Sequence, residues 1–212
     1  MNNRIAILAR PRSGSTSLFR MIESQIENDG FKCFYEPYNP NNYSRYYREG
    51  INFDSLDPIL KCDKLFIKTL FGCSQYPTKS TGNDESVFND WMSTFFNKVI
   101  VLDRRDKRLQ AESLLVNLES GKDWQLPKIY EIDKIETLRI EKEIKDFTYF
   151  SNKLKILAEK ESWPMFYYED LFIDHNFAEI ERMSNYLELK IDKDKIQDYI
   201  ISDKRKVRID PN

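Results

Sequence analysis

The first thirty residues carry the pattern that most constrains the fold of this chain. A compact apolar run at residues 5–9 has the length of a buried strand. A polar stretch follows it at residues 10–17 and reads Arg-Pro-Arg-Ser-Gly-Ser-Thr-Ser. Apolar side chains then recur at helical spacing over residues 18–26, and Gly30 closes the helix. The sequence therefore predicts a strand, a glycine-containing turn and a helix in immediate succession.

The rest of the chain continues this alternation. Strand patterns lie at residues 31–35, 64–71, 98–102 and 165–168, and helical patterns at residues 87–96, 106–118, 135–160, 176–188 and 193–201. Strands that alternate with helices predict an α/β fold with a mostly parallel central sheet covered on both faces. At 212 residues, the chain fits a single domain over residues 1–212.

The composition of the chain argues against several classes of binding partner. The formal net charge is −2, so no overall positive field would attract nucleic acid or an anionic membrane, and any basic site must be local. The longest apolar runs are strand-sized, and the N-terminus lacks the pattern of a signal peptide. Cys33, Cys62 and Cys73 are odd in number and do not have metal-ligand spacing. We expect reduced thiols and a cytoplasmic protein.

The turn after the first strand predicts an anion site. The first amides of a helix have no intrahelical acceptor and, with the helix dipole, attract an anion. Gly14 lets the backbone approach a ligand closely, and Arg12 adds a permanent charge. The alternative is that Ser15 or Thr16 only caps the helix. No Gly-Lys-Ser or Gly-Lys-Thr is present, so the usual nucleoside-triphosphate loop is missing. The predicted binding residues are Arg12, Ser13, Gly14, Ser15, Thr16 and Ser17.

A second anion site is predicted after the strand at residues 98–102. Arg105 follows this strand, and Ser113 lies eight residues further, about two helical turns on, so both can face one anion. The alternative is an ordinary solvated cluster of arginine and aspartate. Because the carboxyl ends of parallel strands gather at one edge of the sheet, the two sites would share a cleft. Two separated anion sites suit a nucleotide that is phosphorylated at both ends of its ribose.

These segments together resemble the sulfotransferase superfamily that uses 3′-phosphoadenosine 5′-phosphosulfate (PAPS). Residues 11–17 are similar to its 5′-phosphosulfate loop, in the arginine-containing form of the carbohydrate sulfotransferases. Arg105 and Ser113 are similar to its 3′-phosphate motif, and residues 168–171, Tyr-Glu-Asp-Leu, to a segment near its last core strand. The resemblance implies a three-layer fold like that of the P-loop NTPases, PAPS as co-substrate and no metal. Lys107 stands where many members carry proline.

The resemblance also implies roles at the reacting group. Arg12 would serve the leaving group, and Lys68 matches the family lysine that touches the transferring group. Leu70 occupies the position of the histidine base of the cytosolic branch, so Glu36, 24 residues after Arg12, becomes the expected base. The alternatives are a snorkelling lysine at a strand end and a surface carboxylate. Glu169 and Asp170 are expected to brace the sheet or cap a helix.

The remaining candidates concern the basic C-terminal tail and the acceptor of the sulfuryl group. The family's C-terminal Arg-Lys-Gly appears here as Arg-Lys-Val, so Arg205 and Lys206 are candidate nucleotide contacts. Aromatic side chains beside arginines suit a carbohydrate or small-molecule acceptor, although a loop that packs its tyrosines on the body would look the same. Two other functions remain open, a nucleotide or nucleoside kinase and a non-catalytic adenosine 3′,5′-bisphosphate binder. The sequence does not predict an oligomeric state. The aromatic and basic residues in question are Tyr35, Tyr38, Tyr43, Tyr46, Tyr47, Arg45 and Arg48.

Overall fold

A computed structural model describes residues 3–37, 61–72, 85–120, 137–174 and 176–192. Its five strands form one all-parallel sheet in the order β2-β3-β1-β4-β5. This confirms the predicted α/β class with a parallel sheet. The strands are β1 (Asn3–Ala9), β2 (Lys32–Tyr35), β3 (Lys64–Leu70), β4 (Lys98–Asp103) and β5 (Met165–Tyr167).

Six α-helices connect and cover these strands within the described ranges. They are α1 (Ser15–Ile26), α2 (Glu85–Phe95), α3 (Lys107–Ser120), α4 (Thr137–Lys160), α5 (Tyr168–Phe172) and α6 (Phe177–Leu187). A short 3₁₀ turn follows α1 and ends at Gly30, whose φ of 82° is the left-handed conformation expected of a glycine that closes a helix. Helix α5 was not predicted, since the sequence pattern places a strand end and an irregular segment there. None of these helices combines the length and the apolar composition that crossing a membrane requires.

Alternate side chains of β1 enter two separate cores, as the period of a strand requires. Ile5, Ile7 and Ala9 join a core that includes residues of α1, α5 and α6. Ala6 and Leu8 join a second core that is formed with α2 and α4. Helices therefore pack on both faces of the sheet, an arrangement compatible with a three-layer sandwich. Helix α3 lies against α4 through a small third cluster.

The strand register brings the predicted site residues to one edge of the sheet. Ala9, the last residue of β1, is level with Leu70 of β3 and Leu102 of β4, so these three strands end together. Strand β1 lies between β3 and β4, where the chain reverses its direction across the sheet. Open parallel sheets bind ligands outside the carboxyl ends of the strands at such a reversal.

Several predictions concern residues outside the described ranges. These are the tyrosine-containing loop at residues 38–58 with Arg45 and Arg48, Cys73, His175, the helix predicted at residues 193–201, and the basic tail with Arg205 and Lys206.

Candidate active site at the carboxyl edge of the sheet

The turn between β1 and α1 has the geometry expected of an anion-binding loop. Arg12 and Gly14 adopt left-handed conformations, with φ values of 61° and 80°. Gly14 occupies the N-cap position of α1, and no side chain caps it. Ser15 and Thr16 lie inside the helix, so the alternative that one of them only caps it is not observed. The amides of residues 15–17 in the first turn have no intrahelical acceptor and remain suited to an anion.

The serines of this loop have different surroundings. The hydroxyl of buried Ser13 donates to the carbonyl oxygen of Arg10 at 2.7 Å, and so its proton is used inside the turn. Ser15 is also buried, whereas Thr16 and Ser17 are partly exposed on the first turn of α1. Thr16 and Ser17 therefore carry the more exposed hydroxyls of this loop.

Gly14 is required by packing as well as by conformation. A Cβ atom at this position would lie 2.3 Å from Cδ2 of Tyr168, closer than any real contact. Tyr168 is buried at the start of α5. The ring of Tyr168 therefore packs directly against Gly14, and only a residue without a side chain fits between the loop and α5. No sequence pattern predicts this contact.

Two side chains that sequence analysis did not single out hold the loop in place. The Nη1 atom of Arg10 donates to the carbonyl oxygen of Phe71 at 2.7 Å, and its guanidinium lies over Phe147 and Phe150. The amide of Gln110 donates to the carbonyl oxygen of Pro11 at 2.7 Å. The loop is thereby tied to the end of β3 and to helices α3 and α4.

Arg12 connects the two predicted anion-binding segments. Its Nε atom donates to Oγ of Ser113 at 3.0 Å, although the two residues are 101 positions apart in the chain. Ser113 lies on α3, the helix that follows β4 and Arg105. The turn after β1 and the helix after β4 are therefore in direct side-chain contact.

Arg105 is held by acidic side chains of α5. Its two terminal nitrogens each donate to a carboxylate oxygen of Asp170 at 2.6 Å, and its guanidinium lies 4.2 Å from the ring centre of Tyr167. These hydrogen bonds raise the pKa of Arg105, which is a half-exposed side chain. Glu169 accepts from the amides of Arg105 and Asp106 at 3.0 and 3.1 Å. Asp170 therefore fixes the guanidinium of Arg105, and Glu169 fixes the backbone that follows β4.

The structure gives Arg105 and Ser113 different partners. Ser113 contacts Arg12, and Arg105 contacts Asp170. That they grip one phosphate together stays a prediction.

Lys107 also has a structural role. Its ammonium donates to both carboxylate oxygens of buried Asp103 at 2.8 Å, and burial lowers the pKa of the lysine. The ion pair fastens the start of α3 to the end of β4. This ion pair explains why a lysine is found at a position where many members of the family that the sequence resembles carry proline.

Glu36 and Lys68 form a buried ion pair. Lys68 Nζ donates to Glu36 Oε1, and each residue is only 2% exposed. The amide of Glu36 also donates to the carbonyl oxygen of Lys68 at 2.9 Å, which continues the pairing of β2 with β3. Glu36 has a left-handed φ of 43°, so the chain turns sharply where this carboxylate is presented. The alternatives of a snorkelling lysine and a surface carboxylate are both wrong.

Tyr35 joins this pair to the loop after β1. Its hydroxyl lies 2.9 Å from Oγ1 of Thr16 and accepts from Lys68 Nζ at 3.4 Å. Burial and the charge of Glu36 raise the pKa of Tyr35, so the phenol is neutral at ordinary pH. Sequence analysis grouped Tyr35 with the tyrosines of the acceptor loop. Its position as the last residue of β2, level with Lys68, is the signal that could have placed it here.

The site therefore combines the start of α1, where no side chain caps the helix, the guanidinium groups of Arg12 and Arg105, and a buried carboxylate with its ammonium partner. Such a set can hold a phosphorylated ligand, offset developing negative charge and accept a proton. No protein-family model matches the chain, and a search of curated proteins finds no match. Its function is therefore inferred from the residues of the site.

Proposed function

We propose that this chain is a sulfotransferase that moves a sulfuryl group from PAPS to a hydroxyl of a carbohydrate or small-molecule acceptor. The observation that carries the proposal is the 3.0 Å contact between Arg12 Nε and Ser113 Oγ. It joins the loop that would take the 5′-phosphosulfate to the helix that would take the 3′-phosphate. A donor with phosphates at both ends of its ribose needs both segments in one cleft.

The fold we propose for this function is the P-loop-NTPase-like three-layer sandwich. The all-parallel order β2-β3-β1-β4-β5 supports it, with the phosphate loop directly between β1 and α1. The loop departs from that of the kinases because Arg12 supplies its positive charge and no lysine precedes the hydroxyls. This departure favours sulfuryl transfer over a nucleotide kinase.

Donor binding would divide between the two segments. The amides at the start of α1, with the hydroxyls of Thr16 and Ser17, would hold the 5′-phosphate oxygens. Arg12 would balance the charge that develops on the leaving phosphate.

The second segment would hold the 3′-phosphate through Arg105 and Ser113. Asp170 and Tyr167 contact the guanidinium of Arg105 and would orient it. Arg205 and Lys206 complete the proposed binding set.

The transfer itself is an in-line displacement at sulfur, by analogy with phosphoryl transfer. The acceptor oxygen forms its bond to sulfur as the bond between sulfur and the phosphate oxygen breaks. Lys68 would offset the negative charge on the sulfuryl oxygens, and Glu36 would take the proton that leaves the acceptor hydroxyl. The ion pair between the two supports this assignment, because it holds a carboxylate and an ammonium side by side at the end of β2 and β3.

The test is transfer of radiolabelled sulfate from PAPS to a panel of sugars, phenols and peptides. We expect transfer without added metal by the wild type, and a loss of about 10²–10⁴-fold in turnover for Glu36→Gln. Glu159→Gln is the matched control, since Glu159 lies exposed on α4. Tight binding of adenosine 3′,5′-bisphosphate with no transfer to any acceptor would indicate a binder instead. Full turnover by Glu36→Gln would exclude Glu36 as the base.

A further inference from the structure

The hydroxyl of Tyr35 lies at the junction of the donor side and the base. It lies 2.9 Å from Thr16 Oγ1 in the loop after β1, and on its other side it accepts from Lys68 Nζ, which also donates to the carboxylate of Glu36. A lysine ammonium can only donate, so the Tyr35 oxygen accepts from Lys68. The phenolic proton then has two possible acceptors, Thr16 Oγ1 and the carboxylate of Glu36.

The two acceptors correspond to two arrangements of the hydrogen bonds that link Thr16, Tyr35 and Glu36. When Thr16 donates to Tyr35, the phenol can donate to Glu36, and one lone pair of that carboxylate is then occupied. When Thr16 instead donates to a phosphate oxygen, its own oxygen can accept from Tyr35. The phenolic proton then turns away from Glu36, and the carboxylate becomes available for the proton of an acceptor.

We propose that Tyr35 is a positioning residue whose hydroxyl couples occupancy of the phosphate loop to the availability of Glu36 as a base. This inference rests on the proposed function and adds an order of events, in which donor binding prepares the base. It involves rotation of hydroxyl groups only, and no bond other than hydrogen bonds forms or breaks. Tyr35 would therefore act through Thr16 and Glu36 rather than on the substrate.

The surroundings of Tyr35 suit this role because they fix the ring and leave the hydroxyl to move. The ring packs edge-on against Phe19, with centroids 5.7 Å apart, and the residue belongs to the core beneath α1. Register pairs Tyr35 directly with Lys68 on the neighbouring strand. A fixed ring holds the phenolic oxygen at a constant distance from both Thr16 and Lys68, so only its proton needs to reorient.

The test is a double-mutant cycle on Tyr35 and Thr16. Tyr35→Phe keeps the packed ring and removes only the hydroxyl, Thr16→Val removes the other partner at nearly constant shape, and Thr16→Ser restores it. Tyr149→Phe is the control, because Tyr149 is an exposed tyrosine on α4. We would measure kcat and KM at saturating PAPS with the best acceptor from the transfer screen, and affinity for adenosine 3′,5′-bisphosphate by calorimetry.

We expect Tyr35→Phe to lower kcat about tenfold while affinity for adenosine 3′,5′-bisphosphate changes less than about threefold. The double variant should lose no more in kcat than the larger of the two single losses, because both changes break the same series of hydrogen bonds between Thr16, Tyr35 and Glu36. Thr16→Ser should recover the kcat that Thr16→Val loses, and a Thr16→Val variant with the wild-type kcat at saturating PAPS would overturn the coupling even if Tyr35→Phe folds poorly. Unchanged kcat for Tyr35→Phe, or losses that multiply, would overturn the coupling while leaving a sulfotransferase. A wild type that neither binds the bisphosphate nor transfers sulfate would overturn both proposals.

Discussion

The contact between Gly14 and Tyr168 leads to a prediction that can be worked out from the structure. In Gly14→Ala, the new methyl would lie 2.3 and 2.8 Å from two ring carbons of Tyr168. The residue would also keep a φ of 80°, which costs an L-amino acid about 1–2 kcal/mol. Relief of the overlap requires a shift of a buried ring, and overpacking of this kind costs about 1–3 kcal/mol. The sum is about 2–5 kcal/mol.

Gly30→Ala separates the two contributions. Gly30 has nearly the same φ, 82°, but a Cβ atom there would meet nothing within 4 Å. We therefore expect Gly30→Ala to cost only the conformational part, about 1–2 kcal/mol. The difference between the two variants isolates the packing of Tyr168 against the turn between β1 and α1.

The assay is urea unfolding followed by circular dichroism, with thermal unfolding as a second measure. For a chain of this size, each kcal/mol corresponds to about 2–4 °C in Tm, so Gly14→Ala should unfold about 4–20 °C below the wild type. It should also bind adenosine 3′,5′-bisphosphate more weakly, because the amides of the loop are displaced. Equal destabilisation by Gly14→Ala and Gly30→Ala would refute the packing of Tyr168 on the loop.

Two further predictions concern buried ionisable groups. Lys68→Met should destabilise the protein by about 3–5 kcal/mol in urea unfolding, because it leaves a buried carboxylate without its ammonium, and adding Glu36→Gln should recover most of this loss. Equal stability of the single and double variants would contradict this. Burial, with smaller contributions from nearby glutamates, raises the pKa of Cys33 from 9.0 to about 12. In a Cys62→Ser/Cys73→Ser background, iodoacetamide should therefore alkylate Cys33 about a thousandfold more slowly at pH 8 than an ordinary thiol. The rate should keep rising tenfold per pH unit beyond pH 9, and a plateau near pH 9 measured by mass spectrometry would show an ordinary thiol.

The sheet was predictable because its strands are continuous apolar runs. Strand β1 is buried on both faces, and such runs are typical of parallel strands covered by helices. The turn after β1 was predictable because glycine, arginine and hydroxyl residues follow a strand and precede a helix. By contrast, α5 has only five residues, too few to show a helical repeat in the sequence. Its position is fixed by the packing of Tyr168 and by Glu169, which accepts from the backbone after β4.

The roles of neighbouring arginines could not be read from the sequence. Arg10 and Arg12 are two positions apart, yet Arg10 is buried beside phenylalanine rings and Arg12 donates to Ser113 on α3. Arg104 is buried over Tyr168, whereas the next residue, Arg105, is half exposed. Which arginine meets an anion depends on the side chains of distant segments, and local spacing carries no information about them.

The central claim is that the cleft recognises a nucleotide by phosphates at two positions, and calorimetry tests it most directly. We predict that adenosine 3′,5′-bisphosphate binds about 10–100-fold more tightly than AMP, since a charged hydrogen-bonded contact contributes about 1.5–3 kcal/mol. Arg105→Met should remove most of this preference, whereas Arg108→Met should not, because Arg108 is exposed and pairs with Glu112. Equal affinity of the wild type for the bisphosphate and AMP would contradict the account.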